Sequence, residues 1–287
     1  MFADLHIYTT ASDGSLTPAE VVYMAKRKGF SAIAITDHDT TGGLEEAFAE
    51  SIRQKITVIP GIELSTLQGD REIHLLGYFL NRHSRLLQDM LTKIIDARHN
   101  RAAEMVDRLI AMNINISLDQ VKEIAGTEFI GRPHIARALL KNGYIEDISS
   151  AFSEEFIGRG GRAYVERFKL SPDEGIALLL KAEAVPVLAH PGYLSQGQPM
   201  DESEIADLVF DGLAGLEVYY SRHTPEQEGY YKKIAEKYKL LITGGSDCHS
   251  NMDVPNCLGS IKLPYQYVEA LINRKSGSGK KGYCDLI

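Results

Sequence analysis

The chain has 287 residues, 44% of them hydrophobic and 24% charged, with a formal net charge of −8. This is a globular composition, long enough for one large core or a core with an inserted subdomain. Its acidity argues against general affinity for a long nucleic-acid duplex, while a small phosphorylated molecule or a short strand stays open. Three cysteines without zinc-finger spacing point to reduced thiols and a cytoplasmic setting. Asp4 and His6 follow the start too closely to leave room for a signal peptide, and no run approaches the roughly 18 apolar residues of a membrane helix.

Phe2 to His6 reads as a first strand, and Thr17-Pro18-Ala19-Glu20 as a helix opening, with Thr17 as N-cap, Pro18 at the first position and Glu20 at the third. Strands follow at Ala32 to Thr36, Ile56 to Pro60 and Ile73 to Phe79, several too apolar to face water. The alternation is then interrupted. Leu87, Met90, Leu91, Ile94 and Ile95, then Met105, Val106, Leu109 and Ile110, follow three- and four-residue spacing, which predicts one long helix over Ser84 to Met112 or two with a break near Asn100. Helical pattern continues through Leu118 to Ala125 and Pro133 to Lys141. Ser171-Pro172-Asp173-Glu174 repeats the helix opening before strands at Val185 to Ala189, Gly215 to Tyr219 and Leu240 to Thr243. Repeated strand-then-helix units predict an α/β fold, a closed or distorted parallel barrel over 1–80 and 165–287, with 81–164 inserted as a mainly helical cap subdomain.

Seven short phrases sit at or near the ends of these runs: Asp4-Leu5-His6, Thr36-Asp37-His38-Asp39, Gly61-Ile62-Glu63, Glu72-Ile73-His74, Gly131-Arg132-Pro133-His134, Ala189-His190-Pro191 and Gly244-Gly245-Ser246-Asp247-Cys248-His249. Any one buried acid or imidazole is more often a satisfied hydrogen-bonding residue than a ligand. Together they point to a multi-metal site, because neutral imidazole and ionised carboxylate are common ligands of zinc, manganese and iron, and desolvated acids weaken a core unless paired or ligated. Metal-assisted hydrolysis is the chemistry this suggests.

Asp4-Leu5-His6 with Ser12-Asp13-Gly14, Ile35-Thr36-Asp37-His38-Asp39, Gly61-Ile62-Glu63, His74, Ala189-His190-Pro191-Gly192 and Gly245-Ser246-Asp247-Cys248-His249 closely resemble the polymerase and histidinol phosphatase (PHP) family of metal-dependent phosphoesterases. Gly131-Arg132-Pro133-His134-Ile135-Ala136 and Gly160-Gly161-Arg162-Ala163-Tyr164-Val165 are similar to the branch holding nucleoside 3′,5′-bisphosphate phosphatases and 5′-to-3′ exoribonucleases. The resemblance covers nearly the whole chain. It implies a distorted seven-stranded (β/α) barrel with two or three divalent ions of manganese, iron or zinc. One ion would take His6, the residue at position 8, Glu63 and Asp247, and a second Asp13, His38 and His249. A third would take His74 and His190, with Glu63 bridging to it. Arg132 and His134 match the positions from which the insertion reaches the substrate phosphate, Arg132 as a grip and His134 as a phosphate ligand or a proton donor to the leaving oxygen.

The reaction so implied is attack of a metal-bridging hydroxide on the phosphate ester of a small nucleotide or the 5′ end of a short RNA, releasing inorganic phosphate or a nucleotide. Histidinol-phosphate phosphatase is the alternative within the enzyme class, and a weakened or inactive barrel serving as a binding protein is the alternative outside it. The departure from the family pattern is Tyr8, where the first motif has a second histidine. Three readings stand open: Tyr8 ligates as phenolate, a water replaces the lost ligand, or the first site is empty. The presence of every other expected ligand favours a weakened but occupied site. Arg98 and Arg101 read as a solvated helix face ahead of the alternative that they line a nucleotide path, His83, His99 and His223 as exposed, and Cys248 as a packing residue. Residues 278–280 read as part of a flexible basic tail rather than a phosphate loop, and 284–287 lack a prenylation pattern.

Overall fold

The computed structural model describes all residues except 127–129, 167, 195–197, 250–257 and 278–287, so the readings at 278–280 and 284–287 lie outside the described residues. The elements run β1 Phe2–Ile7, α1 Pro18–Arg27, β2 Ala32–Ile35, α2 Leu44–Gln54, β3 Thr57–Gln68, β4 Arg71–Tyr78, α3 Arg85–Ala111, α4 Leu118–Ala125, α5 Arg132–Lys141, α6 Pro172–Lys181, β5 Val185–Leu188, α7 Glu202–Phe210, β6 Gly215–Tyr220, α8 Pro225–Tyr238, β7 Leu241–Gly245, β8 Leu263–Pro264 and α9 Gln266–Gly277. They form two compact units, 1–88 with 170–287, and 89–169. No helix among the described residues is long and apolar enough to cross a membrane.

The larger unit is an α/β fold built on one mixed sheet in the order β7-β6-β5-β4-β3-β2-β1-β8. The sheet curls into a nearly closed barrel. Residues just past β7 meet the end of β1, with the Tyr8 amide donating to the Cys248 carbonyl at 3.1 Å and the Asp247 amide to the His6 carbonyl at 2.9 Å. Among the described residues eight strands are present where the resemblance implies seven, one of them the two-residue β8, antiparallel to β1. The expected all-parallel order is also corrected. β3 runs for 12 residues and returns as the antiparallel β4 through a two-residue turn, Gly69-Asp70, with Gly69 at φ +57°; β4 is again antiparallel to β5. Such a glycine-containing two-residue turn is the hairpin connection that right-handed strand twist favours. Glu63 therefore lies mid-strand. His74 stands opposite Ser65, two residues along from Glu63 and hence on its face.

The core on one face of this sheet includes Ala3, Leu5, Ala34, Ile59, Leu76, Tyr78 and Val187, all buried. Helix starts follow local chemistry. The Thr17 amide donates to the Glu20 carboxylate at 2.8 Å, the Glu20 amide donates back to the Thr17 hydroxyl at 3.2 Å, and Pro18 occupies the first turn where its missing N–H costs nothing. Closure of the barrel depends on Gly245. A Cβ there would sit 2.3 Å from the His6 Cβ and 2.5 Å from its amide nitrogen, and the obstruction is backbone that cannot step aside. Gly245→Ala is expected to cost about 2–3 kcal/mol by overpacking, read as a Tm lower by several degrees in a thermal melt. An unchanged Tm would show that the β1–β7 seam can open at no cost.

The smaller unit has its own core, which includes Met105, Leu109, Val121, Ile135, Leu139 and Ile157. The helix α3, which begins in the larger unit and continues into the smaller, is a single 27-residue helix with no break at Asn100. The buried stripe of this helix runs Leu87, Leu91, Ile94, Arg98, Ala102, Met105 and Leu109, so Arg98 occupies a core-facing position and is only 6% exposed. The expectation of a solvated face fails there because helical period outranks residue type in deciding which way a side chain points.

Candidate metal centre

The site forms where β1, β2, β3, β4, β5 and β7 bring their acids and imidazoles together. Its middle is Glu63, wholly buried. One carboxylate oxygen, Oε1, lies 3.1 Å from His74 Nδ1, 3.2 Å from His190 Nε2 and 3.3 Å from His6 Nε2. The other, Oε2, lies 2.8 Å from His38 Nδ1 and accepts the Tyr8 hydroxyl. Asp13, His38 and His249 hold a second cluster of ligand atoms within 4.8 Å of one another. The Asp247 carboxylate stands between the two, its Oδ1 at 3.7 Å from both His6 Nε2 and His249 Nδ1. His190 and Asp247 present their side chains from left-handed backbone, at φ +28° and +56°, a conformation non-glycine residues adopt chiefly where the surroundings over-determine it.

These residues fit divalent cations. His6 is held by Glu217, whose carboxylate oxygens lie 3.0 and 3.2 Å from its Nδ1. With that N–H committed to Glu217, the lone pair on Nε2 faces Glu63, the tautomer a metal requires. Asp13 Oδ1 is buried and accepts no hydrogen bond among the described residues, a costly state for a carboxylate oxygen unless a cation completes it. The charges point the same way. Burial works to raise the Glu63 pKa, but His74, His38 and His6 outweigh it and hold the carboxyl well below its ordinary range. Burial likewise opposes protonation of His74, yet Glu63 and Glu72 push its pKa up to about 10. The pocket demands positive charge, supplied by protons when nothing else is bound.

Several acids in the sequence phrases serve the scaffold instead. Asp4 Oδ1 accepts the Ser246 amide at 2.9 Å, which ties β1 to β7, and burial raises its pKa to about 6. Asp37 takes the Thr9 amide and the Ser12 hydroxyl, both at 2.7 Å, fixing the loop that carries Asp13. Asp39 accepts the Ser65 amide at 2.9 Å beside Glu63. Cys248 is buried, and the Leu258 amide points at its sulfur. His83 is exposed, whereas His223 is half-buried, with the Gly192 amide donating to Nε2 at 3.0 Å and Nδ1 on the Val218 carbonyl at 2.9 Å. That corrects its expected exposure, as does the half-buried His99.

Two residues of β6 were not anticipated. Glu217 also accepts the His190 amide at 2.8 Å, so one acid orients two imidazoles. Tyr220 donates to Asp247 Oδ2 at 2.7 Å. The signal for Glu217 was present: an acid inside the apolar run Gly215-Leu216-Glu217-Val218-Tyr219 has to be paired or functional. Glu217→Gln is expected to weaken metal affinity by about 10- to 100-fold, as loss of a ligand-orienting partner does. Competition against a metal buffer would measure it, and unchanged affinity would remove Glu217 from the centre.

The inserted unit carries a cationic cluster of its own. Arg98, Arg101 and Arg132 line one small cavity. The Arg101 guanidinium lies 5.3 Å from the Tyr164 ring centroid, and that of Arg132 lies 5.9 Å from it and 5.5 Å from Phe152. Burial, then repulsion from Arg132 and Arg98, pulls the Arg101 pKa below its ordinary value. Like charges held together in this way are stabilised by an anion. His134 is buried at the start of α5, and its Nδ1 accepts the Gly131 amide at 3.0 Å, which gives the ring a capping role.

A family model described as the PHP domain matches residues 4–159. The chain is 32% identical to a 3′,5′-nucleoside bisphosphate phosphatase of Chromobacterium violaceum over 86% of its length and 87% of the relative's. It is 29% identical to the 5′-3′ exoribonuclease Rnm of Escherichia coli over 86% and 84%. A solved structure of a candidate metal-dependent phosphoesterase from Bifidobacterium adolescentis superposes with a TM-score of 0.84 at 33% identity, covering 95% of this chain and 96% of that one.

Proposed function

Because the chain belongs to the PHP domain family and is a metal-dependent phosphoesterase, we propose that it cleaves phosphate esters of small nucleotides in the cytoplasm, either a 3′,5′-nucleoside bisphosphate or the 5′ end of a short RNA. The observation that carries this is Glu63, one buried carboxylate within 3.3 Å of four imidazole nitrogens. The proposed ligands for two or three ions of manganese, iron or zinc are His6, Asp13, His38, Glu63, His74, His190, Asp247 and His249. Bound there, the ions would lower the pKa of water and neutralise phosphate charge.

The chain's own residues supply the rest. Glu217 holds His6 in the ligating tautomer and fixes the backbone of His190. Tyr220 keeps Asp247 aimed by taking its second oxygen. Arg132, with Arg98 and Arg101 beside it, is the proposed grip on a substrate phosphate, since a guanidinium offers a planar fork of donors to phosphate oxygens. His134 Nε2 is the proposed proton donor or phosphate contact, its Nδ1 being occupied by Gly131. The inserted unit would thus contribute to the choice of nucleotide.

Phosphate release from nucleoside 3′,5′-bisphosphates, mononucleotides and histidinol phosphate, and nucleotide release from 5′-phosphorylated short RNA, measured with manganese or zinc supplied, tests the reading. Turnover is expected on the bisphosphate or the RNA. Activity confined to histidinol phosphate, or none with any metal, would overturn it. Arg132→Ala is expected to raise KM about 10- to 100-fold with kcat little changed, because a charge-assisted hydrogen bond to a spectator phosphate is worth about 1.5–3 kcal/mol.

A further inference from the structure

We propose that Tyr8 is itself a ligand, its phenol oxygen binding an ion shared with His6, Glu63 and Asp247. The proposal rests on the metal-dependent reading above and adds to it a tyrosine–metal bond. Tyr8 is buried, 2% exposed, and its oxygen is the atom that reaches His6 and Glu63. That oxygen lies 2.7 Å from His6 Nε2 and is hydrogen-bonded to Glu63 Oε2. The His6 Nδ1 contact with Glu217 turns the Nε2 lone pair toward the phenol. Imidazole nitrogen, carboxylate and phenol oxygen thus converge in one place, at separations close to those of neighbouring ligands around an ion with bonds of about 2.0–2.2 Å.

The ring has no other place to go. It stacks on His249 with centroids 3.8 Å apart and leans on His38 at 4.7 Å, so the imidazoles of the second cluster clamp the phenol in the direction of the first. A tyrosine that merely plugged the site would place carbon between the donors. Here its only polar atom is placed there. On binding, the O–H bond breaks, the proton passes to solvent, and an O–metal bond forms with no change of oxidation state. An anionic oxygen in place of a neutral nitrogen favours harder, oxygen-preferring ions, shifting the balance toward manganese or iron.

The chain has 14 tyrosines and no tryptophan, so its near-ultraviolet absorbance is tyrosine absorbance. A tyrosine phenol, with an ordinary pKa near 10, is protonated at neutral pH, which gives a flat baseline for the metal-free chain. Titrating zinc, which has no absorbance of its own, into metal-free protein is expected to produce the red-shifted difference spectrum of a single phenolate. Tyr8→Phe is expected to lose that signal, with Tyr8→His serving as the control that a filled position keeps metal uptake. Loading with ferric iron, supplied already oxidised, is expected to add a visible phenolate-to-iron charge-transfer band to the wild type and not to Tyr8→Phe at equal iron content. Metal uptake without either band, or a band that survives in Tyr8→Phe, overturns Tyr8 as a ligand and leaves the metal centre standing. Failure of the wild type to bind zinc or iron overturns both.

Discussion

Glu63→Gln is expected to lower kcat by about a thousandfold or more, since losing about 4 kcal/mol of barrier reduction has that effect, and to reduce bound metal in parallel. The reason is geometric. Among the described residues Glu63 is the one side chain whose carboxylate reaches His6, His38, His74 and His190 together. An amide offers one neutral acceptor where the site needs two anionic ones, and its NH2 group would point at imidazole nitrogens that have to present lone pairs. Stability of the metal-free chains separates the electrostatic part from the metal part. The Glu63 pKa is held well below its ordinary 4.5, so its contribution is present above that pH and fades as pH falls further. The His74 pKa is raised from 6.5 to about 10, so its contribution is complete below 6.5 and is lost as pH rises toward 10. Chelated wild type should therefore exceed chelated Glu63→Gln in stability most clearly between about pH 4.5 and 6.5, with the gap closing toward alkaline pH. Denaturant melts at three pH values would show it, and a gap that widens with pH would contradict the pairing described here.

The phrases that carry His6, His38, His74, His190 and His249 were legible because each puts a ligand-type residue against an apolar run, and these five imidazoles reach one site. The acids beside them divide into two kinds that sequence does not separate. Asp13, Glu63 and Asp247 face the imidazoles, while Asp4, Asp37 and Asp39 accept backbone amides and tie neighbouring strand ends together. Seen from the sequence, clustered acids had no common structural reason. Three of them have one, because strands that end together leave amide groups that need acceptors. The β3–β4 hairpin was hidden for a related reason. Ile56 to Pro60 and Gly61-Ile62-Glu63 read as a strand and its end, whereas Gly69-Asp70, the turn that reverses the chain, lies beyond both. The charge of Arg98 argues for solvent, but its position in the stripe from Leu87 to Leu109 decides its direction. Glu217 and Tyr220 act on ligands at least 27 residues away in the chain, and only the folded sheet brings them there.

Removing the metal ions is expected to abolish turnover completely and to lower the Tm by about 5–10 °C, both restored by manganese. A ligand that binds only the folded chain adds about 2.7 kcal/mol at a hundred times its dissociation constant, and for a chain of this size each kcal/mol moves Tm by about 2–4 °C. The destabilisation has a definite location. Without cations the pocket keeps Glu63 and Asp247 charged by protonating imidazoles, and His6 is the most constrained of these. Burial opposes its charge, but Glu217 and Glu63 outweigh burial and hold its pKa well above the usual range. A proton on Nε2 satisfies a single acceptor, whereas an ion satisfies several donors at once, so protons replace the metal only in part. Hydrogen exchange should accordingly rise on chelation at the β1–β7 seam, where the amides of Tyr8 and Asp247 bond across the closure, and stay level in the core around Met105 and Leu139 of the inserted unit. Equal protection in both states at that seam would mean that the barrel is closed by its strands alone and that metal does no more than chemistry.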